Sequence, residues 1–169
     1  MSMIEHFLME SPLGTLTLVN TNGVLSGIYM PDHLRGPKED SLGSRTTSGF
    51  DVARSQLDEY FERKRVHFEV PIALHGTAFQ QSVWNLLRTI PYGETRSYGE
   101  LADLLGNRLA IRAVGLANGR NPISIIIPCH RVVGSNGSLT GYAGGLERKR
   151  RLLELEAAEV TSQQQLSLS

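Results

Sequence analysis

Among 169 residues there is one cysteine, Cys129, and one tryptophan, Trp84. A lone thiol excludes an internal disulfide framework and suits a reducing, intracellular compartment. It also excludes a multi-thiolate zinc site. The five histidines (His6, His33, His67, His75 and His130) contain no closely spaced ligand pair, so no metal is expected. No Gly-rich phosphate loop is present, and no cofactor is expected. No apolar run approaches the roughly 18 residues of a membrane span. The opening stretch MSMIEHFLME carries Glu5 and Glu10 without a basic segment leading into an apolar one, so no signal peptide is expected. Net charge is absent too, at 17 Lys/Arg against 17 Asp/Glu, and no internal repeat is visible.

The zero balance hides an asymmetry. Residues 1–75 hold 7 basic and 10 acidic side chains, whereas residues 76–169 hold 10 and 7. No acid occurs between Asp103 and Glu147, but Arg108, Arg112, Arg120 and Arg131 do. An interval of that kind suits a polyanion. A Gly-rich stretch that lacks acids by chance is the plainer alternative.

What is present reads as an α+β chain. GTLTLVN alternates Thr15 and Thr17 with Leu16 and Leu18, NTNG supplies turn chemistry, and VLSGIYM follows as a partner strand. Residues 31–49 read as a long polar surface loop. A helix is expected over 50–63 with Val52, Leu57, Tyr60 and Phe61 inward, then a strand in VHFEVPIALHG. A boundary near 75 divides an N-terminal lobe, 1–75, from a C-terminal lobe, 76–158, with a flexible tail at 159–169. TAFQ and SYGE read as capping boxes. The first opens a helix with Phe79, Val83, Leu86, Leu87 and Ile90 inward. The second opens a short helix with Leu101, Leu104 and Leu105 inward and Gly106 at its end. A third helix, about 110–118, is built from small residues around Arg112, and the pair has helix-turn-helix proportions. Its low profile serves close helix packing or a narrow DNA groove equally well. ISIIIP reads as a strand buried on both faces. The last helix, about 145–159, places Glu156 on the inward side with Leu146, Leu152 and Leu153, where a carboxylate needs a partner.

The sole cysteine follows Pro128 and precedes His130. A thiol of ordinary pKa is mostly neutral at pH 7, and only its thiolate attacks efficiently. An adjacent imidazole can take the proton, directly or through water, while a carboxylate such as Glu156 holds the ring in the useful tautomer. On residue types alone, a buried structural cysteine is the commoner outcome, because neighbours on a strand point apart. Proline at 128 lets the chain leave the strand there.

The segments IPCHRVVGSNGSLTGYAGGLERKRRLLELE, GTAFQQSVWNLLRTIPYGETRSYGELADLLG and RAVGLANGRNPISIIIPCHRV resemble the O6-alkylguanine-DNA alkyltransferases, the methylated-DNA–protein-cysteine methyltransferases. The likeness is dense from Gly76 to Glu156, with SPLGTLTLV a weaker echo upstream. It implies a ribonuclease H-like N-terminal lobe and a mostly helical C-terminal lobe with a helix-turn-helix and an active-site loop. It also implies irreversible, single-turnover transfer of the alkyl group from O6-alkylguanine, and from O4-alkylthymine, in double-stranded DNA. On this resemblance Cys129 is the nucleophile, His130 the water-mediated base and Glu156 its orienting partner. Asn121 ties the recognition helix to the active-site turn, and Tyr98 donates toward guanine N3. Arg112 fills the gap left by a flipped base, with Ser97, Ala113 and Gly115 at the same DNA surface. Tyr142 and the backbone of Val132 and Ala143 line the base pocket. Minor-groove binding by a monomer, with copies able to load side by side, is the implied mode, and no cofactor, zinc or membrane takes part. The chain departs from the family's pattern at Arg108, Ile111 and Ala143. A helix-turn-helix alkylation sensor and a Cys-His acyl-transfer enzyme are the competing readings.

Overall fold

The structure, a computed structural model, describes residues 2–34 and 36–168, with side chains to residue 157. Strands β1 (Ile4–Ser11), β2 (Gly14–Thr21) and β3 (Val24–Tyr29) form an antiparallel meander. Asn22 and Gly23 both take positive φ at the β2–β3 turn, as a two-residue hairpin of this twist requires. Leu16 and Leu18 are sealed beneath the sheet while Thr15 and Thr17 are half-buried, so the period-2 pattern sets the inward face. Within the expected 31–49 loop lies a fourth strand, β4 (Ser44–Arg45), parallel to β1, which completes the order β3-β2-β1-β4. It enters through Gly43 at φ +70°, where any Cβ would collide with the Ile4 carbonyl.

Helix α1 (Asp51–Phe61) buries Ala53, Gln56, Leu57 and Tyr60. The expected Val52 is exposed instead, because Ala53, Leu57 and Tyr60 make the i, i+4, i+7 stripe and rotate their neighbour outward. The strand expected in 66–76 does not form. Glu69 pairs with the Gln56 amide (Glu69 N to Oε1, 2.8 Å), Pro71 interrupts the ladder, and only Ile72 bridges to Leu25.

The C-terminal part is helical. Helix α2 (Ala78–Leu87) starts at a complete capping box between Thr77 and Gln80. Helix α3 (Tyr98–Leu104) has only half of one: Ser97 Oγ accepts from Glu100 N, without the return bond. Helix α4 (Ile111–Gly119) follows a 3-10 turn at Arg108–Ala110. Val83, Leu87, Ile90, Leu101 and Val114 fill the space between these helices, and Trp84 Nε1 donates to Ala117 O at 2.9 Å. Phe79 and Leu104, expected inward, lie at the exposed edges of their stripes.

The run Ile123–Ile127 is buried as expected but is not a strand. Ile123 makes one bridge to Ile28, then Ile125 turns at φ +74° and the following amides bond back two to four residues. Apolar content reports burial; the backbone path here is bent by prolines at both ends. That path joins the two parts, through Ile28 N to Pro122 O (2.9 Å) and Ser124 N to Ile28 O (3.2 Å). Strand β5 (Arg96–Ser97) pairs in parallel with β6 (Val132–Val133). Helix α5 (Leu146–Leu168) runs past the expected end, with Leu146 exposed at its first turn rather than inward. The side chains of the expected tail at 159–169 lie outside the described residues.

Candidate active site

Cys129, His130 and Arg131 form one 3-10 turn directly after Pro128. A turn, unlike a strand, lets neighbouring side chains address one site, and all three are buried. Beneath it Glu156 projects from α5. Its Oε2 accepts from His130 Nε2 (2.8 Å), Arg131 Nη2 (3.0 Å) and the Tyr60 hydroxyl (2.7 Å). Its Oε1 accepts from Arg131 Nε (2.9 Å) and Gly93 N (3.4 Å). Burial by itself raises a carboxyl pKa. Here His130 and Arg131 outweigh it, and Glu156 is held well below the carboxylate range.

A carboxylate only accepts, so His130 carries its proton on Nε2 and presents the lone pair on Nδ1. That Nδ1 is buried and has no hydrogen-bond partner among the described residues. Burial keeps the imidazole pKa below its ordinary value despite Glu156, so the ring is neutral at pH 7 and able to take a proton. Burial also pushes the Cys129 thiol up. The Asn121 amide and the Lys149 ammonium oppose that by favouring the thiolate. The same Asn121 donates to Ile127 O (2.7 Å) and accepts from Ile123 N (3.0 Å), clamping the turn that delivers the cysteine.

Two groups were not expected from the sequence. Arg131 holds Glu156 with two donors and caps Ile90 O at 2.7 Å. Lys149 is fully buried and makes no ion pair among the described residues. It donates to Thr140 O (2.8 Å) and Gly141 O (3.2 Å), and burial lowers its pKa to about 8. Both had a signal. Arg131 is the next residue after His130, and Lys149 lies on the helical stripe that carries Leu152 and Glu156.

Beside the turn is a cavity of about 190 Å³ lined by Leu34, Tyr98, Gly115, Asn118, Gly119, Gly141, Tyr142 and Ala143. Tyr142 lies against the thiol, and burial holds its phenol well above the ordinary range. Tyr98 lies across Gly115, at 3.9 Å from where a Cβ would stand, and donates to Thr140 O at 3.2 Å. Val132 is in β6, paired with Arg96, and its side chain is not part of the cavity wall. Ala113 and Arg112 are on the exposed side of α4, and Arg112 makes no ion pair or hydrogen bond among the described residues. Ser97 is spent on capping α3. Arg108 is turned back onto Asp103 (3.1 Å), which offsets the cation it adds to the turn. A larger cavity of about 310 Å³ is lined partly by Arg88, Pro128 and Arg131, and Tyr142 does not line it. No group of three or more metal-binding side chains occurs among the described residues, and none of their helices is long and apolar enough to cross a membrane.

The buried pair sets a pH dependence. Folded His130 has a pKa below its ordinary 6.5, so in that interval the unfolded chain binds the extra proton and acid weakens the fold. Folded Glu156 lies below its ordinary 4.5, and its stabilisation is lost as pH falls further. The thermal midpoint is therefore expected to drop as pH is lowered through 6.5 and again below 4.5. Circular dichroism melts that stay level across both intervals would contradict this charge assignment.

Known proteins resemble this chain in sequence and fold. Residues 4–74 match the 6-O-methylguanine DNA methyltransferase ribonuclease-like domain, and residues 78–158 match the DNA binding domain of the same family. The methylated-DNA–protein-cysteine methyltransferase of Mycobacterium leprae is 52% identical over 159 residues, covering 94% of this chain and 95% of that protein. The Mycobacterium tuberculosis H37Rv protein of the same name is 51% identical over 154 residues, covering 91% and 93%. A crystal structure of Mycobacterium tuberculosis OGT in complex with DNA superposes with a TM-score of 0.86 at 49% identity, covering 92% of this chain and 94% of that one.

Proposed function

The chain belongs to the methylated-DNA–protein-cysteine methyltransferase family of DNA-repair enzymes, and from that premise we propose that Cys129 removes the alkyl group from O6-alkylguanine in duplex DNA, once per molecule. The observation that carries this is the sole thiol set beside a neutral imidazole. That ring is pinned at Nε2 by a buried carboxylate and takes no hydrogen bond at Nδ1 among the described residues, and Tyr142, which lies against the thiol, lines the cavity shared with Tyr98 and Gly115. No hydrogen bond joins the thiol directly to Nδ1 among the described residues, and one bridging water would carry the proton between them, as the resemblance to the alkyltransferases implies.

The steps balance. His130 Nδ1 takes the thiol proton through that water, and Lys149 and the Asn121 amide favour the thiolate that remains. Sulfur attacks the alkyl carbon, the C–S bond forms as the C–O6 bond breaks, and the electron pair stays on guanine. The proton held by His130 passes to guanine, with the Tyr98 hydroxyl turning from Thr140 O to donate toward N3 while negative charge gathers there. A thioether has no easy hydrolytic exit, which makes the reaction single-turnover.

An alkyl carbon inside the stack is out of reach of a buried sulfur, so the nucleotide must rotate out, at a cost of a few kcal/mol. Arg112 is exposed and unpaired on α4, free to enter the duplex and offset part of that cost. Ala113 and Gly115 keep the helix low enough for a minor groove, and Ser97 and Tyr98 open α3 at the same surface. Tyr142, Ala143 and the backbone of Val132 form the base pocket. O4-alkylthymine is a second substrate. The protein acts inside the cell as a monomer able to load side by side on DNA, with residues 1–75 and 76–158 as its two lobes.

The deciding experiment is intact-protein mass after incubation with an O6-methylguanine duplex. The expected result is one added CH2 per chain, mapped to Cys129. DNA binding with no adduct would favour an alkylation sensor, and repeated turnover of a thioester would favour acyl transfer. For Arg112→Ala, repair of duplex is expected to slow by about tenfold or more, the loss of about 1.4 kcal/mol or more of flipping support, while reaction with free O6-methylguanine base stays near wild type. Equal losses on both substrates, in single-turnover assays, would remove the flipping role.

A further inference from the structure

Asn121, His130, Arg131, Lys149 and Glu156, the side chains arranged about the thiol, all lie in residues 78–158, which match the DNA binding domain. A contact to them crosses from residues 4–74, which match the ribonuclease-like domain. It is made by Tyr60 on α1, whose hydroxyl donates to Glu156 Oε2 at 2.7 Å across 96 residues of sequence. Tyr60 has no exposed surface. Phe61, Phe68 and Tyr92 pack around its ring, with centroids 5.5, 5.4 and 6.2 Å away, and fix its direction. Burial and the charge of Glu156 hold the phenol well above its ordinary range, so it stays protonated and donates.

Oε2 is the atom that holds His130. Its donors are His130 Nε2 (2.8 Å), Arg131 Nη2 (3.0 Å) and the Tyr60 hydroxyl. The first two belong to one 3-10 turn, so they move with the ring that Glu156 is to orient. Tyr60 donates to the same oxygen from outside that turn, whereas Gly93 N reaches the other oxygen at 3.4 Å. A glutamate side chain has several free torsions and needs an anchor besides its own backbone, which α1 supplies.

We infer that Tyr60 is a positioning residue for alkyl transfer, holding Glu156 Oε2 so that His130 keeps its proton on Nε2 and turns Nδ1 to the thiol. The inference rests on the alkyltransferase reading above and gives residues 4–74 a part in the chemistry. The bond also has an electrostatic effect. A neutral donor on Oε2 draws off part of the charge that stabilises a protonated imidazole, so removing it raises the proton affinity of His130. The other charged groups acting on that ring are Arg131 from its own turn and Lys149 from α5, and both oppose its protonation. Tyr92 faces Tyr60 and the Arg131 guanidinium, and Cys129 is the ring's neighbour in the chain.

Tyr60→Phe removes the hydroxyl and keeps the ring. Its single-turnover transfer from O6-methylguanine duplex is expected to slow by about tenfold at pH 8, with duplex binding in a mobility-shift assay unchanged. The acid limb of the rate, where a protonated His130 can no longer take the thiol proton, should move up by about one pH unit. The titration midpoint of the His130 ring, read by NMR, should rise with it. In a Glu156→Gln background the substitution should add no further slowing, because the hydroxyl acts through that carboxylate. A bond that merely ties α1 to α5 would lower the thermal midpoint and leave the acid limb and the NMR midpoint in place. That result overturns the inference, as does equal slowing in both backgrounds. If Glu156→Gln does not fold, the acid limb and the NMR midpoint decide. A wild type that gains no adduct would remove the alkyltransferase reading, and an NMR midpoint unmoved in Tyr60→Phe would separately remove the coupling to His130.

Discussion

Cys129→Ala is expected to gain no mass on incubation with O6-methylguanine duplex while still binding that duplex in a mobility-shift assay. The sulfur is the only thiol in the chain, and the lysine and the phenol near it are not alternative nucleophiles at neutral pH. Lys149 has a pKa near 8 and is therefore mostly protonated there, and its ammonium is engaged with two carbonyls. The Tyr142 phenol lies further still from ionisation. The elements proposed to face DNA, α3 and α4, do not depend on the sulfur: α4 is held by Trp84 through Ala117 O and by Val114 in the core. The same substitution thus separates binding from chemistry. An adduct that persists in Cys129→Ala, mapped by peptide mass to His130 or Lys149, would show that another atom can accept the alkyl group and would displace the thiolate mechanism.

Glu156→Gln is expected to lower stability by about 3–5 kcal/mol, the range for breaking a buried ion pair on one side. In a chain of this length that is a fall of roughly 10 °C in the thermal midpoint. The reason is in the contacts. Five donors converge on this carboxylate, two of them from a buried arginine. A glutamine at 156 turns an NH2 toward donors and leaves the guanidinium charge without its counter-ion. Transfer should also slow by about a hundredfold, as for loss of general-base positioning, because nothing then holds the His130 proton on Nε2. The Tyr60 bond gives this residue a second role, since it links α1 to the active-site turn. Replacing the pair together, Glu156→Leu with Arg131→Met, should restore much of the stability without restoring the rate. Denaturant melts and single-turnover assays on the same samples read both effects. If Glu156→Gln melts like the wild type, the charge cluster is not what holds the turn.

These two substitutions sit at opposite ends of what residue order makes visible. The cysteine, its histidine neighbour and an acid on an apolar helical face could all be picked out by type and spacing, and resemblance supplied their roles. Local rules also located the β2–β3 hairpin at Asn22–Gly23, the Thr77 capping box and the small-residue helix, because each depends on residues within a few positions of one another.

Other features depend on packing across long separations. Whether 123–127 becomes a strand turned on Ile28 and two prolines, not on the apolar run itself. Val52, Phe79, Leu104 and Leu146 are apolar and periodic, yet the edge of each buried stripe was set by the neighbour that fills the core. Arg131 and Lys149 are ordinary surface residues by composition. Only the closure of α5 over the active-site turn removes them from water and gives them charge to balance. By itself the sequence determined the chemical types at the site and the short-range turns and caps, since those follow from local sterics and hydrogen bonding. The tertiary structure decided which polar groups are desolvated and against what, because burial belongs to the assembled surfaces and not to any one segment.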